Sequence, residues 1–270
     1  MKTAINNDFY GIADPTVNIS LIRRYFEQYP EDVSKVILSI KRCTGPKTFH
    51  PTNSSAATRA SLENILRIIC GAKNIDIFFP SRSDPNITTE EPFNELKVLV
   101  SEGEIKGVGL SEAGPETIKK AHAVIPFSVV EVNEIPTNGV AATYKSLNIP
   151  IIAYSTLGRG FPTGQLKKLS DVLPGDVRLY FDRFQPEDFD QNLEFADKLN
   201  TIAAKKGVLA NSDSAECGTI VSIPGATTAQ RVEENTITEL TARDKAELDT
   251  IVKSVPIVGG RYSEYLQKGL

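Results

Sequence analysis

VILSIK, residues 36–41, is a short apolar run, rich in β-branched residues, that closes on a lysine. Five more apolar runs follow: IDIFF (75–79), KGVGL (106–110), FSVVEV (127–132), IPIIAY (149–154) and TIVSI (219–223). Each is nearly all apolar instead of alternating, the pattern of a strand buried on both faces of a parallel sheet. The segments between them carry a helical period. Leu62, Ile65, Leu66 and Ile69 recur at three- and four-residue spacing, as do Leu96, Leu99 and Val100, and again Leu193, Ala196, Leu199, Ile202 and Ala203. Pro115 suits the first turn of a helix, Thr241 with Asp244 makes a variant capping box, and Gly207 is placed to end a helix.

Strand and helix alternate with no Gly/Ser linker, so one continuous parallel α/β domain over residues 1–270 is expected. Six strands are visible, and the extreme N-terminus reads as the tail of a seventh. A closed barrel needs eight. On the count alone, a doubly wound open sheet satisfies the pattern as well.

Composition narrows the function classes. The 270 residues are 40% hydrophobic and 24% charged, with a formal net charge of −4, an ordinary soluble balance. Mild acidity gives no basic surface for phosphates, so neither nucleic acid nor a membrane surface is an expected partner. Cys43, Cys70 and Cys217 form no CxxC pair and predict no disulfide framework. His50 and His122 are too scattered for a zinc cluster. The start MKTAINNDFYG has no apolar signal core, and no apolar run approaches the roughly 18 residues of a spanning helix. A cytoplasmic protein is the expectation.

In parallel α/β proteins the working groups gather where strands end at their carboxyl side. The residues there are Lys41, Ser81 with Arg82 and Asp84, Ser111 with Glu112, Glu131 with Asn133, Tyr154 with Ser155, and the stretch 225–228; Tyr10 lies just past the N-terminal remnant. Lys41 reads either as a solvated loop lysine or as a pocket lysine. In the second case it acts as a Schiff-base nucleophile or as a cation that lowers a neighbour's pKa. The loop YSTLGRGFPTG (154–164) has glycines that admit a ligand close to the backbone, and Arg159 adds charge; a plain flexible turn has the same composition. SIPGATTAQRVEEN (222–235) runs from a strand through Pro224-Gly225 and small hydroxyl residues into a short helix. Its free N–H groups, with Thr227, Thr228 and Arg231, suit a phosphate. His50 is expected on a solvated loop, His122 on a helix surface or half-buried, Cys43 as a spectator thiol, and Arg82 with Asp84 as a pair shaping its loop.

Taken together, four segments resemble the aldo-keto reductase superfamily, and within it the fungal pyridoxal reductase-like branch. They are NDFYG (7–11) with VILSIK (36–41); IKGVGLSE (105–112); AYSTLGRG (153–160) with TGQLK (163–167); and IPGATTAQRVEEN (223–235). The resemblance implies a (β/α)8 TIM barrel binding NADP(H) across its C-terminal face, with a small-molecule carbonyl as substrate. Tyr10 matches the proton-donating tyrosine and Lys41 the lysine beside it. The chemistry agrees, because a phenol with a pKa near 10 is a poor acid at neutral pH and a nearby ammonium lowers that value. For the cofactor, Ser111 matches the residue bonding the nicotinamide carboxamide; Glu112 and Glu131 stand where Asn and Gln are commoner. Tyr154 matches the ring stacked on nicotinamide, and Ser155, Leu157 and Arg159 the pyrophosphate loop. Gly225, Ala226, Thr227 and Arg231 match the 2′-phosphate site, and Glu234 and Asn235 the adenine contacts. Arg231 is what selects NADPH over NADH.

The chain also departs from the pattern. Its opening strand and helix are expected to be absent. Ile5 stands where the superfamily has its catalytic aspartate, next to Asn6 and Asn7; the pyridoxal branch tends to use Asn there, and an amide does not supply the carboxylate's charge to Lys41. Ser81 stands at the catalytic histidine position. NEIPTNGV shortens the loop after 129–132, and GVLANSDSAECG (207–218) has no helical period where a covering helix belongs, which leaves apolar strand surface open. Three functions follow: an NADPH-dependent carbonyl reductase acting on pyridoxal or another aldehyde; a cofactor-binding scaffold barrel without turnover; and a Schiff-base lyase using Lys41.

Overall fold

Parallel strands joined by helices run along the chain in the computed structural model, which describes residues 15–42, 52–132, 139–155, 158–164, 166–206, 220–225, 228–230, 233 and 241–260. The elements are α1 (Pro15–Gln28), β1 (Ser39–Arg42), α2 (Ser55–Ile69), β2 (Ile75–Pro80), α3 (Glu90–Glu102), β3 (Ile105–Ser111), α4 (Pro115–Val124), β4 (Val129–Val132), α5 (Val140–Ser146), β5 (Ile151–Ala153), α6 (Pro186–Lys206), β6 (Ile220–Ser222) and α7 (Ala242–Ser254), with 3₁₀ turns between β5 and α6. All six apolar runs contain strands. They lie side by side in chain order, β1-β2-β3-β4-β5-β6, each parallel to its neighbour. Sequential order decides between the two architectures, because a doubly wound sheet reverses its order at a switch point. The fold is therefore of the barrel type. Among the described residues the sheet is not closed into a ring.

Two compact units divide the chain. The first holds everything through β5, together with β6; the second holds the residues between β5 and β6 and those after β6.

In the first unit, local chemistry sets the helix ends. Ser54 accepts from the Ala57 N–H to cap α2, and Pro115 opens α4 as its composition requires. The helical stripes Leu62, Ile65 and Ile69 on α2, and Phe93, Leu96 and Leu99 on α3, are buried against the sheet. Register shows which strand residues meet them. Leu38, Ile40, Phe78, Val108, Leu110, Val130, Val132 and Ile151 alternate along the strands on the helix-facing side and form one apolar core. The opposite side carries Ser39, Lys41, Ser81, Ser111 and Glu131, all buried. Both faces are buried, as the sequence predicts, and the second mixes these polar groups with apolar Ile75, Phe79, Ile105 and Ile152. Two strand glycines on this side stand where no side chain fits. A Cβ on Gly109 would lie 2.9 Å from the Phe79 ring and from the Val129 carbonyl, and one on Gly107 would collide with Ser128. β6 differs from the rest, being half-buried at all three positions.

The amino ends of the strands are tied by charge. Buried Asp76 accepts from the Leu38 N–H (2.8 Å), from buried Lys73 (2.6 Å) and from Lys106 (2.7 Å). Burial alone would raise its pKa; the N–H and the two ammoniums outweigh it and hold the carboxyl below the usual range.

The second unit is organised around aromatic rings. Phe161 packs on Phe184 and Phe189, with ring centroids 4.5 and 5.1 Å apart. Asn192 of α6 exchanges hydrogen bonds with the Val258 N–H and carbonyl (both 3.0 Å), and Leu199 meets Leu248 of α7.

Candidate active site

At the carboxyl ends of the first unit's strands, Lys41 is the third residue of β1, and Glu131 is the third of β4. Lys41 Nζ donates to Glu131 Oε1, and both side chains are 1% exposed. This settles one sequence alternative: Lys41 is a buried, paired lysine and not a solvated loop residue. Burying a lone charge is very costly, so each group makes the other's position tenable.

Arg82 and Ser111 lie in the same unit. Arg82, just past β2, turns its guanidinium inward: Nη1 donates to the Ser81 carbonyl at 2.6 Å and to the Ser111 hydroxyl at 3.4 Å. Ser111 ends β3 and is fully buried. The Arg82 carbonyl accepts from buried Asn53, which ties this turn to the entry of α2 (2.9 Å). Glu112 follows with φ +52°, in the left-handed region that non-glycine residues adopt rarely, and its N–H donates to the Glu131 carbonyl at 3.0 Å. That bond also holds the Glu131 backbone in place. Asp84, read from sequence as the partner of Arg82, accepts from the Asn86 backbone and side chain at 2.9 and 3.0 Å.

One buried phenol escaped the sequence reading. Tyr144 of α5 is nearly fully enclosed, and burial, with Glu112 nearby, pushes its pKa well above the ordinary tyrosine value. His122 is half-buried, as expected. Its Nδ1 accepts from the Phe127 N–H at 3.1 Å, and burial holds its pKa below the usual imidazole value. Among the described residues no group of three or more His, Cys, Asp or Glu is placed to hold a metal ion, and no helix is long and apolar enough to cross a membrane.

In the second unit, Tyr154 is buried directly after β5. Ser155 has φ +53° and accepts from the Gly158 N–H at 2.8 Å, making a tight turn. Arg159, at φ +57°, is held there by Arg178, whose Nη1 donates to its carbonyl at 3.2 Å. Asp176 grips Arg178 through both carboxylate oxygens, and the guanidinium pulls the Asp176 pKa down. The Arg159 guanidinium lies 3.7 Å over the Phe181 ring. Gly225 is exposed, with open space where a Cβ would stand. Tyr10, Leu157, Ala226, Thr227, Arg231, Glu234 and Asn235 lie outside the described residues, as do Ile5, Cys43, His50, Gly207 and the altered segments 133–138 and 207–218.

The sequence reading singled out both members of the buried pair but did not join them. By resemblance Glu131 matches a cofactor position, and Lys41 has no carboxylate assigned to it. The available signal was that each is a charge set into an otherwise apolar run.

The profile of the Aldo/keto reductase family matches residues 8–254. The chain is 35% identical, over an alignment of 286 positions, to the probable pyridoxal reductase 2 of Schizosaccharomyces pombe, covering 97% of this chain and 85% of that protein. It is 30% identical to an uncharacterized oxidoreductase of the same yeast, covering 84% of this chain and 72% of that protein. Among solved structures, a glycerol dehydrogenase from Gluconobacter oxydans superposes with a TM-score of 0.74 at 19% identity, covering 91% of this chain and 80% of that one. A thermostable aldo-keto reductase superposes with a TM-score of 0.60 at 18% identity, over 87% of this chain and 77% of that one. These two likenesses concern the fold.

Proposed function

The chain belongs to the aldo/keto reductase family, and from that premise we propose that this oxidoreductase uses NADPH to reduce the carbonyl of a small molecule, pyridoxal or another aldehyde, to the alcohol. Tyr10 donates the proton and Lys41 supports it. The observation that carries this reading is the buried Lys41–Glu131 pair at the carboxyl ends of β1 and β4. An ammonium kept dry and fixed beside the reacting atoms is what a phenol needs to act as an acid near neutral pH. The pyridoxal choice rests on the 35% identical yeast relative.

The donor set fits a dinucleotide in its chemistry. In the first unit, the buried Ser111 hydroxyl and the Glu112 position suit the nicotinamide carboxamide. In the second unit, Tyr154 offers a buried ring. The turn from Ser155 to Gly160 has positive φ at Ser155, Gly158, Arg159 and Gly160, a backbone shape that presents N–H groups to an anion. Leu157, Gly225, Ala226, Thr227, Arg231, Glu234 and Asn235 complete the assignment on resemblance, and Arg231 is the reason for choosing NADPH over NADH.

A bound reduced nicotinamide would supply the hydride that the carbonyl carbon takes up. The carbonyl π pair moves onto oxygen, and Tyr10 releases its proton to that oxygen, which gives the alcohol. Lys41 places positive charge where negative charge develops, and burial of the strand ends keeps water from competing.

Purified protein mixed with NADPH and pyridoxal, then with a series of other aldehydes, tests the reading through loss of reduced-nicotinamide absorbance. Turnover that is lost in Tyr10→Phe and is weaker with NADH supports it. Cofactor binding with no turnover on any carbonyl overturns it in favour of a scaffold barrel.

A further inference from the structure

We propose that Glu131 positions the catalytic lysine, so that β4 supplies a carboxylate to the lysine of β1. This rests on the reductase reading above. Ile5, five residues before Tyr10, is apolar and cannot hold an ammonium. Lys41, one of the two charged residues of β1, is buried all the same and donates directly to Glu131. A carboxylate on β4 thus reaches the lysine of β1 across two intervening strands.

Glu131 is well built for that work. Its backbone pairs with Ser111 on one side and Ile152 on the other, so it sits inside the sheet and not on a loop. Its carbonyl is held by the Glu112 N–H as well. A side chain anchored this way fixes the ammonium by one short lever instead of a flexible stem. The neutral amide commoner at this position keeps the shape but loses the charge.

The alternative is that Glu131 touches cofactor and Lys41 merely satisfies it. Steady-state kinetics and NADPH affinity, read from nicotinamide fluorescence, separate the two in Glu131→Gln and Glu131→Asp. Positioning predicts that Glu131→Gln lowers kcat by about tenfold or more, the scale of a disturbed acid catalyst, while the NADPH Kd shifts by less than about threefold. Glu131→Asp keeps the charge one methylene short and recovers part of kcat. Thermal melts show that assays are run with the variants folded, and a variant too unstable to assay is replaced by Glu131→Asp at lower temperature.

An unchanged kcat in folded Glu131→Gln overturns the proposal, as does a Kd raised by about tenfold or more with kcat retained. In either case the parent's turnover leaves the reductase reading standing. A parent that reduces no carbonyl overturns the reductase reading itself, and the positioning role falls with it.

Discussion

Lys41 stands on β1 and Glu131 on β4, with β2 and β3 between them, and the ammonium still donates to the carboxylate. On a flat sheet, three strand spacings of about 4.8 Å would hold their backbones about 14 Å apart, with the side chains running parallel. Register sharpens the point. Lys41 is level with Phe79, Gly109 and Val129, so Glu131 lies two residues further along. The pair meets because the sheet coils, turning its inner side chains toward one another and staggering its strands. The curvature of a barrel is thus what brings two charges, 90 residues apart in sequence, into one bond.

Replacing both partners together tests how the pair is balanced. Each charge has left water for an interior where the other compensates it, so removing one is expected to cost about 3–5 kcal/mol. Lys41→Met combined with Glu131→Leu removes both charges at similar volume, and its stability is expected to equal or exceed the parent's, by up to about 4 kcal/mol. Turnover is expected to vanish in the same protein. Urea denaturation of the parent, the two single variants and the double variant checks this; a double variant as unstable as the two singles added together would show that the groups do not act as a pair.

Asp76, at the other end of the strands, gives a pH dependence of definite sign. Its folded-state pKa lies below the ordinary value because the Leu38 N–H, Lys106 and Lys73 outweigh the effect of burial. The stabilisation it provides is therefore full above the unfolded-chain pKa of about 3.9, and it is lost as pH falls through the lower folded value. Asp76→Asn leaves the buried Lys73 ammonium without that carboxylate, which is expected to cost about 3 kcal/mol at neutral pH. The difference between parent and variant should shrink as pH falls below about 4. Denaturant midpoints at several pH values read it, and a gap that stays constant into acid would remove Asp76 from the account.

The strands were legible because an apolar, β-branched run is rare outside a buried sheet, and each of the six runs contains one. Stripes such as Leu62, Ile65 and Ile69 gave the helices for the same reason. What the runs hid was their second face. Serine and glycine among apolar residues read as filler, yet Ser39, Ser81 and Ser111 give that side its polar groups, and Gly107 and Gly109 stand where no side chain fits. Sequential strand order, which decides between barrel and doubly wound sheet, depends on contacts distant in sequence and leaves no local trace. The Lys41–Glu131 bond was out of reach on the same ground: a strand's end can be read, but which other end it faces is set by the coil of the sheet. Resemblance supplied the roles, and geometry joined the two residues.

Gly109 tests the crowding on that polar face. Its backbone φ is ordinary, so conformational freedom is not the issue; space is. An added methyl would meet the Phe79 ring and the Val129 carbonyl at 2.9 Å. The ring can tilt, but the carbonyl belongs to the neighbouring strand and cannot. Gly109→Ala is therefore expected to destabilise by about 1–3 kcal/mol, the usual cost of overpacking. The shift would appear in the denaturant midpoint, and a neutral result would mean that β3 and β4 stand further apart than described.

Gly114 offers the opposite sign. It occupies the N-cap of α4 with φ −73° and ψ 164°, an extended backbone open to any residue and suited to the position before Pro115. No side chain caps the helix there, and a Cβ would meet nothing within 4 Å. Serine at this position would accept from a free N–H of the first turn and would also lower the entropy of the unfolded chain. Gly114→Ser is expected to stabilise by about 0.5–1 kcal/mol. Because α4 packs against the sheet through Ile118 and Ala121, the gain should register in global unfolding and not only in fraying of one helix. A melting temperature equal to or below the parent's would show that the first turn of α4 is already satisfied by other means.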